Sequence, residues 1–132
     1  MMAERPVHAL SAPEKAALRE LLTAERASTV TRIEMLMRAW DDIVGSSALV
    51  ATDDEHDPEG ATIAFERAHV QALLDQARGH LGSLEHALER LGRGGYGICE
   101  RCGEPIPVER LRARPVAVTC VRCAGPGGRR QG

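Results

Sequence analysis

The apolar positions of this chain fall into two long helical stripes followed by a short cysteine-bearing segment. The stretch "SAPE" opens the first stripe, with Ser11 three residues before Glu14 and Pro13 in the first turn, the signature of a helix start. Leu18, Leu21 and Leu22 follow, and after a gap Val30, Ile33, Met37, Trp40 and Val44 recur at alternating steps of three and four. The two groups are out of phase, and Arg26 stands where a continuous stripe would pass. Gly45 is a natural stop, although Leu49 and Val50 can extend the helix. The second stripe is cleaner. Val70, Leu74, Ala77, Leu81, Leu84, Leu88 and Leu91 step by four and three in turn, a heptad seam that "GRGGYG" at 92–97 brings to an end.

Neither stripe can be covered by a lone helix, so each must cover the other. Two segments of about thirty residues, with one joint between them, predict an all-α fold: a long antiparallel coiled-coil helical hairpin, each arm roughly 45 Å long. The matched arms favour pairing within one chain, and a monomer is expected. The joint, "GSSALVATDDEHDPEG" at 45–60, exceeds the about two to eight residues usual between helices. It carries Asp53, Asp54, Glu55, Asp57 and Glu59 and no basic residue, which gives the hairpin an acidic tip. Asp57 before Pro58 also reads as a helix N-cap followed by proline at the first helical position.

Composition supports a thin assembly. Trp40, Phe65 and Tyr96 are the only aromatics in 132 residues, too few for a thick globular core. The formal net charge of -2 provides no global field toward nucleic acid or membrane. The N-terminus has no apolar signal region and no segment approaches a membrane span, so a cytoplasmic location with reduced thiols is expected.

That compartment decides the reading of the four cysteines. Cys99, Cys102, Cys120 and Cys123 form two Cys-x-x-Cys pairs with seventeen residues between them. Disulfides would need an oxidising compartment, and a thioredoxin-like redox pair would need a βαβ unit that the pattern lacks. Two such turns instead complete a tetrahedron around Zn²⁺, and Gly103 permits the tight backbone after the first pair. With all four positions filled by cysteine, the one expected zinc is structural and leaves no open site for catalysis. No nucleophile–base pair or phosphate loop is present either, so an enzyme is not expected. The short finger holds too few residues for much core of its own, and zinc is expected to supply most of its folding energy. The predicted layout is a hairpin over 1–95 with its tip at about 45–60, a finger at 96–124, and a flexible tail at 125–132.

The run "YGICERCGEPIPVERLRARPVAVTCVRC" resembles the C4 zinc finger of the DksA/TraR family of bacterial transcription factors. Cys99, Cys102, Gly103, Ile106, Arg110, Leu111, Ala113, Arg114, Pro115, Cys120 and Cys123 all fall in register with its signature, and Asp57–Pro58 matches the "DP" of its hairpin. The resemblance implies a regulator that binds RNA polymerase, without sequence-specific DNA binding, and inserts its coiled-coil tip into the secondary channel. Asp53, Asp54 and Asp57 are then the candidates for acting near the catalytic centre, and Arg110 and Arg114 for contacting polymerase or the alarmone guanosine tetraphosphate. Two departures stand out. Gly60 occupies the place of the family's second tip aspartate, and the later helix offers mainly Arg78 and Arg90, outside the family's basic positions. Guanosine tetraphosphate is therefore expected to add little. The rival readings are a nucleic-acid-binding zinc ribbon, which near-zero charge and scarce aromatics disfavour, and a structural coiled-coil adaptor whose tip is dispensable.

Overall fold

The capping box predicted at "SAPE" forms in the computed structural model, which describes residues 10–50 and 58–125. Ser11 N donates to Glu14 Oε1 at 2.9 Å, and Glu14 N donates to Ser11 Oγ at 3.1 Å. Helix α1 then runs over Ala12–Val50, straight through Gly45, where no neighbour would crowd a Cβ. Helix α2 spans Pro58–Arg93, with proline at its first position, where the missing N–H costs no hydrogen bond. It ends as expected in the glycine run. Gly94 takes a φ of 95°, and the N–H groups of Gly94 and Gly95 both reach Arg90 O, at 2.8 and 2.9 Å. Two short helices follow, α3 (Val108–Ala113) and α4 (Val121–Ala124). Among the described residues there is no strand, only an isolated antiparallel bridge between Ile98 and Pro105.

Two compact units emerge from this chain. The first joins Met1–Arg26 to Ser83–Gly132, and the second is Ala27–Gly82. In the first unit the finger and the adjoining helix segments share one core. Leu18 and Leu22 of α1, Leu84, Ala87 and Leu91 of α2, and Tyr96, Ile106, Leu111 and Ala117 of the finger are buried together. The finger therefore folds on apolar surface that the helices supply, a source of folding energy beside the zinc that the sequence reading did not include. Gly97 belongs to this packing. At a φ of +90° a Cβ would lie 3.2 Å from Leu10 Cδ1, so glycine is required both for the backbone and for the close approach. Tyr96 closes the core by donating from its hydroxyl to Pro115 O at 2.8 Å.

In the second unit the core is thinner. Val70, Leu74 and Ala77 are buried on α2, and the one buried polar residue among the described residues is Thr29 of α1. Arg67 lies over the Trp40 ring, 5.5 Å from its centroid, a cation–π contact at the place in the heptad that Leu74 and Leu81 hold further along. Thr29 and Arg32 line a cleft of about 300 Å³ with Gln76, Ala77 and His80. Partners on α2 thus move back along the chain as those on α1 move forward, which is the antiparallel pairing the stripes predicted.

The inward face of α1 differs from the one expected. Leu21, Met37 and Val44 are 44%, 45% and 40% exposed, while Leu36 and Ile43 turn half inward with Ile33 and Trp40. The stripe crosses the polar gap at Thr29, so Arg26 is left outside to bond Glu85 Oε2 at 2.8 Å. That pair is about half exposed at both ends and adds direction more than stability.

Two outcomes test this packing. Leu84→Asp places an unpaired charge at a fully buried position and should cost at least about 3 kcal/mol, whereas Met37→Asp should change stability by less than about 1 kcal/mol. Thermal melts followed by helical circular dichroism compare the two, and equal melting temperatures would show the seam to be misassigned. Burial also pushes the Tyr96 hydroxyl from its usual 10.0 up to about 12. The fold favours the neutral phenol, so its stabilising contribution is complete below pH 10 and is lost as pH rises toward 12. Tyr96 is the sole tyrosine, so phenolate absorbance reads it directly. Titration at its ordinary value in folded protein would mean the ring is not buried.

Candidate metal centre

Two knuckle turns deliver the four cysteines. In the first, Cys99 N donates to Glu104 O at 2.8 Å and Gly103 N returns to Cys99 O at 2.9 Å. The turn closes because Gly103 accepts a φ of +78°, a region that side-chain-bearing residues avoid. In the second, Cys120 is the N-cap of α4, and Ala124 N donates to Cys120 O at 2.9 Å. Glu100 N donates to Val118 O at 2.7 Å and ties the two turns to each other.

The result is a cluster in which all four Sγ atoms lie within 4.8 Å of one another, with Cys102 and Cys120 3.8 Å apart. A tetrahedron with Zn–S bonds of ~2.3 Å spaces its sulfurs roughly 3.8 Å apart, so the donors already stand near the required geometry. Burial pushes the Cys99 thiol up, but backbone N–H groups of Cys102, Cys120 and Arg101 outweigh it and bring the thiol down to about 6. Burial, and then hydrogen bonds from its fellow thiols, push Cys123 up to about 12. Sulfurs this close cannot all ionise without a cation among them, and four soft thiolates suit Zn²⁺. Cys99, Cys102, Cys120 and Cys123 would hold one zinc ion as a structural cross-link, with every coordination position filled.

A second set of residues fastens the centre to α2. The Arg90 side chain is only 16% exposed, and its guanidinium donates to Gly95 O at 2.5 Å, Ile98 O at 3.2 Å and Glu100 Oε2 at 2.6 Å. His86 Nε2 meets the same carboxylate oxygen at 2.7 Å. The hydrogen bond from His86 comes first among the causes that hold the Glu100 carboxyl below its ordinary range, and the Arg90 charge assists against burial. Sequence reasoning missed this bracket. Its one signal was a basic residue in the last turn of a helix, where cations meet the free carbonyls.

Of the other residues singled out, Arg110 donates from Nε to Thr119 O at 2.9 Å and braces the finger from within. Arg114 is exposed, and among the described residues its side chain has no partner. Asp53, Asp54 and Asp57 lie outside the described residues.

Residues 94–126 match the family model of the prokaryotic dksA/traR C4-type zinc finger. The chain is 46% identical over 66 residues to the protein YteA of Bacillus subtilis, covering 50% of this chain but only 28% of that one. It is 39% identical over 102 residues to the RNA polymerase-binding transcription factor DksA of Haemophilus influenzae, covering 71% of this chain and 70% of that one. The solved structure of transcription factor DksA2 from Pseudomonas aeruginosa superposes with a TM-score of 0.76 at 28% identity, over 92% of this chain and 88% of that chain. The likeness thus extends beyond the finger to the helix pair. A four-sulfur centre seated on paired helices, with a relative matched over most of its length, places this chain in the DksA/TraR family.

Proposed function

We propose that this chain is a non-enzymatic transcription regulator that binds RNA polymerase through its helical hairpin and finger, and that the acidic turn of the hairpin enters the secondary channel. The observation that carries this reading is the union of a closed four-cysteine centre with the helices of a DksA-like fold over nearly the whole chain. A filled metal site and a paired-helix body supply contact surface and rigidity but no reacting group. Relatives named as RNA polymerase-binding transcription factors support the same partner.

In this reading the finger and the helix flanks provide most of the contact area. Asp53, Asp54 and Asp57 place negative charge near the polymerase's catalytic metal ions, where charge effects are strong. Arg114 is the better placed of the two finger arginines for an external anion, because Arg110 is already bonded to Thr119 O. Guanosine tetraphosphate adds little, since the Arg90 guanidinium is occupied by the finger itself. No helix among the described residues is long and apolar enough to cross a membrane.

Two measurements check this proposal. Combined Asp53→Asn, Asp54→Asn and Asp57→Asn should leave polymerase affinity within a few-fold of wild type yet remove most of the transcriptional response. Asparagine caps helices about as well as aspartate, so the change at position 57 separates charge from folding. Normal regulation by the bound triple variant would reduce the tip to a solvated loop and favour an adaptor role. Metal analysis should find one Zn²⁺ per chain, and chelation should unfold the finger and, through the shared core, weaken helix packing around Leu18, Leu22 and Leu91 while helix elsewhere persists. A finger that keeps its amide protection after complete zinc removal would contradict a structural role for the metal.

A further inference from the structure

The two knuckle sequences, "CERC" and "CVRC", share an arginine immediately before the second cysteine. Arg101 and Arg122 are both exposed, and among the described residues neither side chain has a hydrogen bond or ion pair. Beside Arg101, the Glu100 carboxylate is turned to α2, where Arg90 and His86 share its Oε2, and beside Arg122 stand Val121 and Cys123. Neither arginine is therefore neutralised by a sequence neighbour.

The charge of the module makes sense of this. Between residues 96 and 124 the chain carries five arginines and three glutamates, and no lysine, aspartate or histidine, an excess of two positive charges. Zinc held by four thiolates carries two negative charges. We propose that Arg101 and Arg122 are charge-compensating residues of the metal centre, one in each knuckle, which stabilise the dianionic zinc tetrathiolate relative to the metal-free thiols. Four thiolates around one Zn²⁺ leave a net charge of minus two at the centre, so cations beside the sulfurs favour the bound state. Backbone N–H donors supply part of this field: Arg101 N and Cys102 N each lie 3.4 Å from Cys99 Sγ. In this proposal the guanidinium charges add a longer-range part, which solvent and salt screen. Arg112 offers an internal comparison, because it is exposed on α3, outside both knuckles, with the same charge and no partner among the described residues. The inference does not depend on polymerase binding.

The experiment is chelator competition on the full-length chain loaded with one zinc, comparing Arg101→Glu, Arg122→Glu, Arg112→Glu and wild type at low and high salt. Reversing one knuckle charge should weaken zinc retention on the order of tenfold at low ionic strength and only a few-fold at physiological salt, since the interacting charges lie at the surface. The two reversals together should weaken it further, and Arg101→Lys with Arg122→Lys should retain wild-type affinity. Arg112→Glu should have at most a small effect. Should a charge-reversed chain fold poorly, the milder Arg101→Gln and Arg122→Gln pair carries the same test with a smaller shift, again attenuated by salt. Wild-type retention in the reversed and neutralised variants would overturn the proposal. So would an equal loss from Arg112→Glu, which would make net charge rather than knuckle position decisive.

Discussion

Everything in the first unit depends on one apolar surface that neither of its parts can complete alone. Paired helices bury a seam between them but leave leucines near the start of α1 and the end of α2 in need of cover. The finger has the opposite deficit: knuckles, two short helices and few apolar side chains. Placing Ile106 and Leu111 against Leu18, Leu22, Leu84 and Leu91 satisfies both, with Leu18, Leu22, Leu84, Ile106 and Leu111 each essentially removed from water. Each such side chain contributes roughly 1.5–3 kcal/mol on burial, so the junction rivals the metal as a source of order. The zinc ligands and the helix seam are in this sense one structure, cross-linked by sulfur on one side and by hydrocarbon on the other.

The polar contacts follow from that arrangement. Helix α2 stops where glycine can turn the chain directly into the first knuckle. Arg90 bonds the carbonyls of Gly95 and Ile98 in the segment that follows and continues to Glu100 inside the Cys-x-x-Cys turn. A single side chain thereby ties the end of α2 to the loop and to the first knuckle. Because its guanidinium is largely enclosed and planar, a lysine could not replace these divergent hydrogen bonds.

Much of this was legible in the sequence, for identifiable reasons. The metal site was clear because cysteine spacing encodes geometry locally: two turns, four sulfurs, one tetrahedron. The α2 seam was clear because a leucine heptad repeats without interruption, and the helix boundaries at Ser11, Pro58 and Gly94 carry their own local chemistry. Helix α1 was read less well. Leu21, Met37 and Val44 are apolar yet face outward, while Thr29 faces inward, and periodicity weights residue type without knowing which face the partner occupies. The shared core and the Arg90 bracket were not legible at all. They join residues whose contact depends on how the finger folds back on the helices, and no spacing rule records that.

The uneven filling of the two units has a consequence for how the molecule breathes. Stability in a helix pair is local, set turn by turn by the apolar area each turn encloses. Around Leu18, Leu84 and Leu91 that enclosure is complete, whereas in Ala27–Gly82 it rests on Val70, Leu74 and Ala77, a threonine in the seam and an arginine stacked on a tryptophan. Amide hydrogens there are expected to exchange through smaller openings than those packed in the core of the first unit. Ala27–Gly82 thus encloses less apolar area than the first unit, and its local openings are expected to cost less.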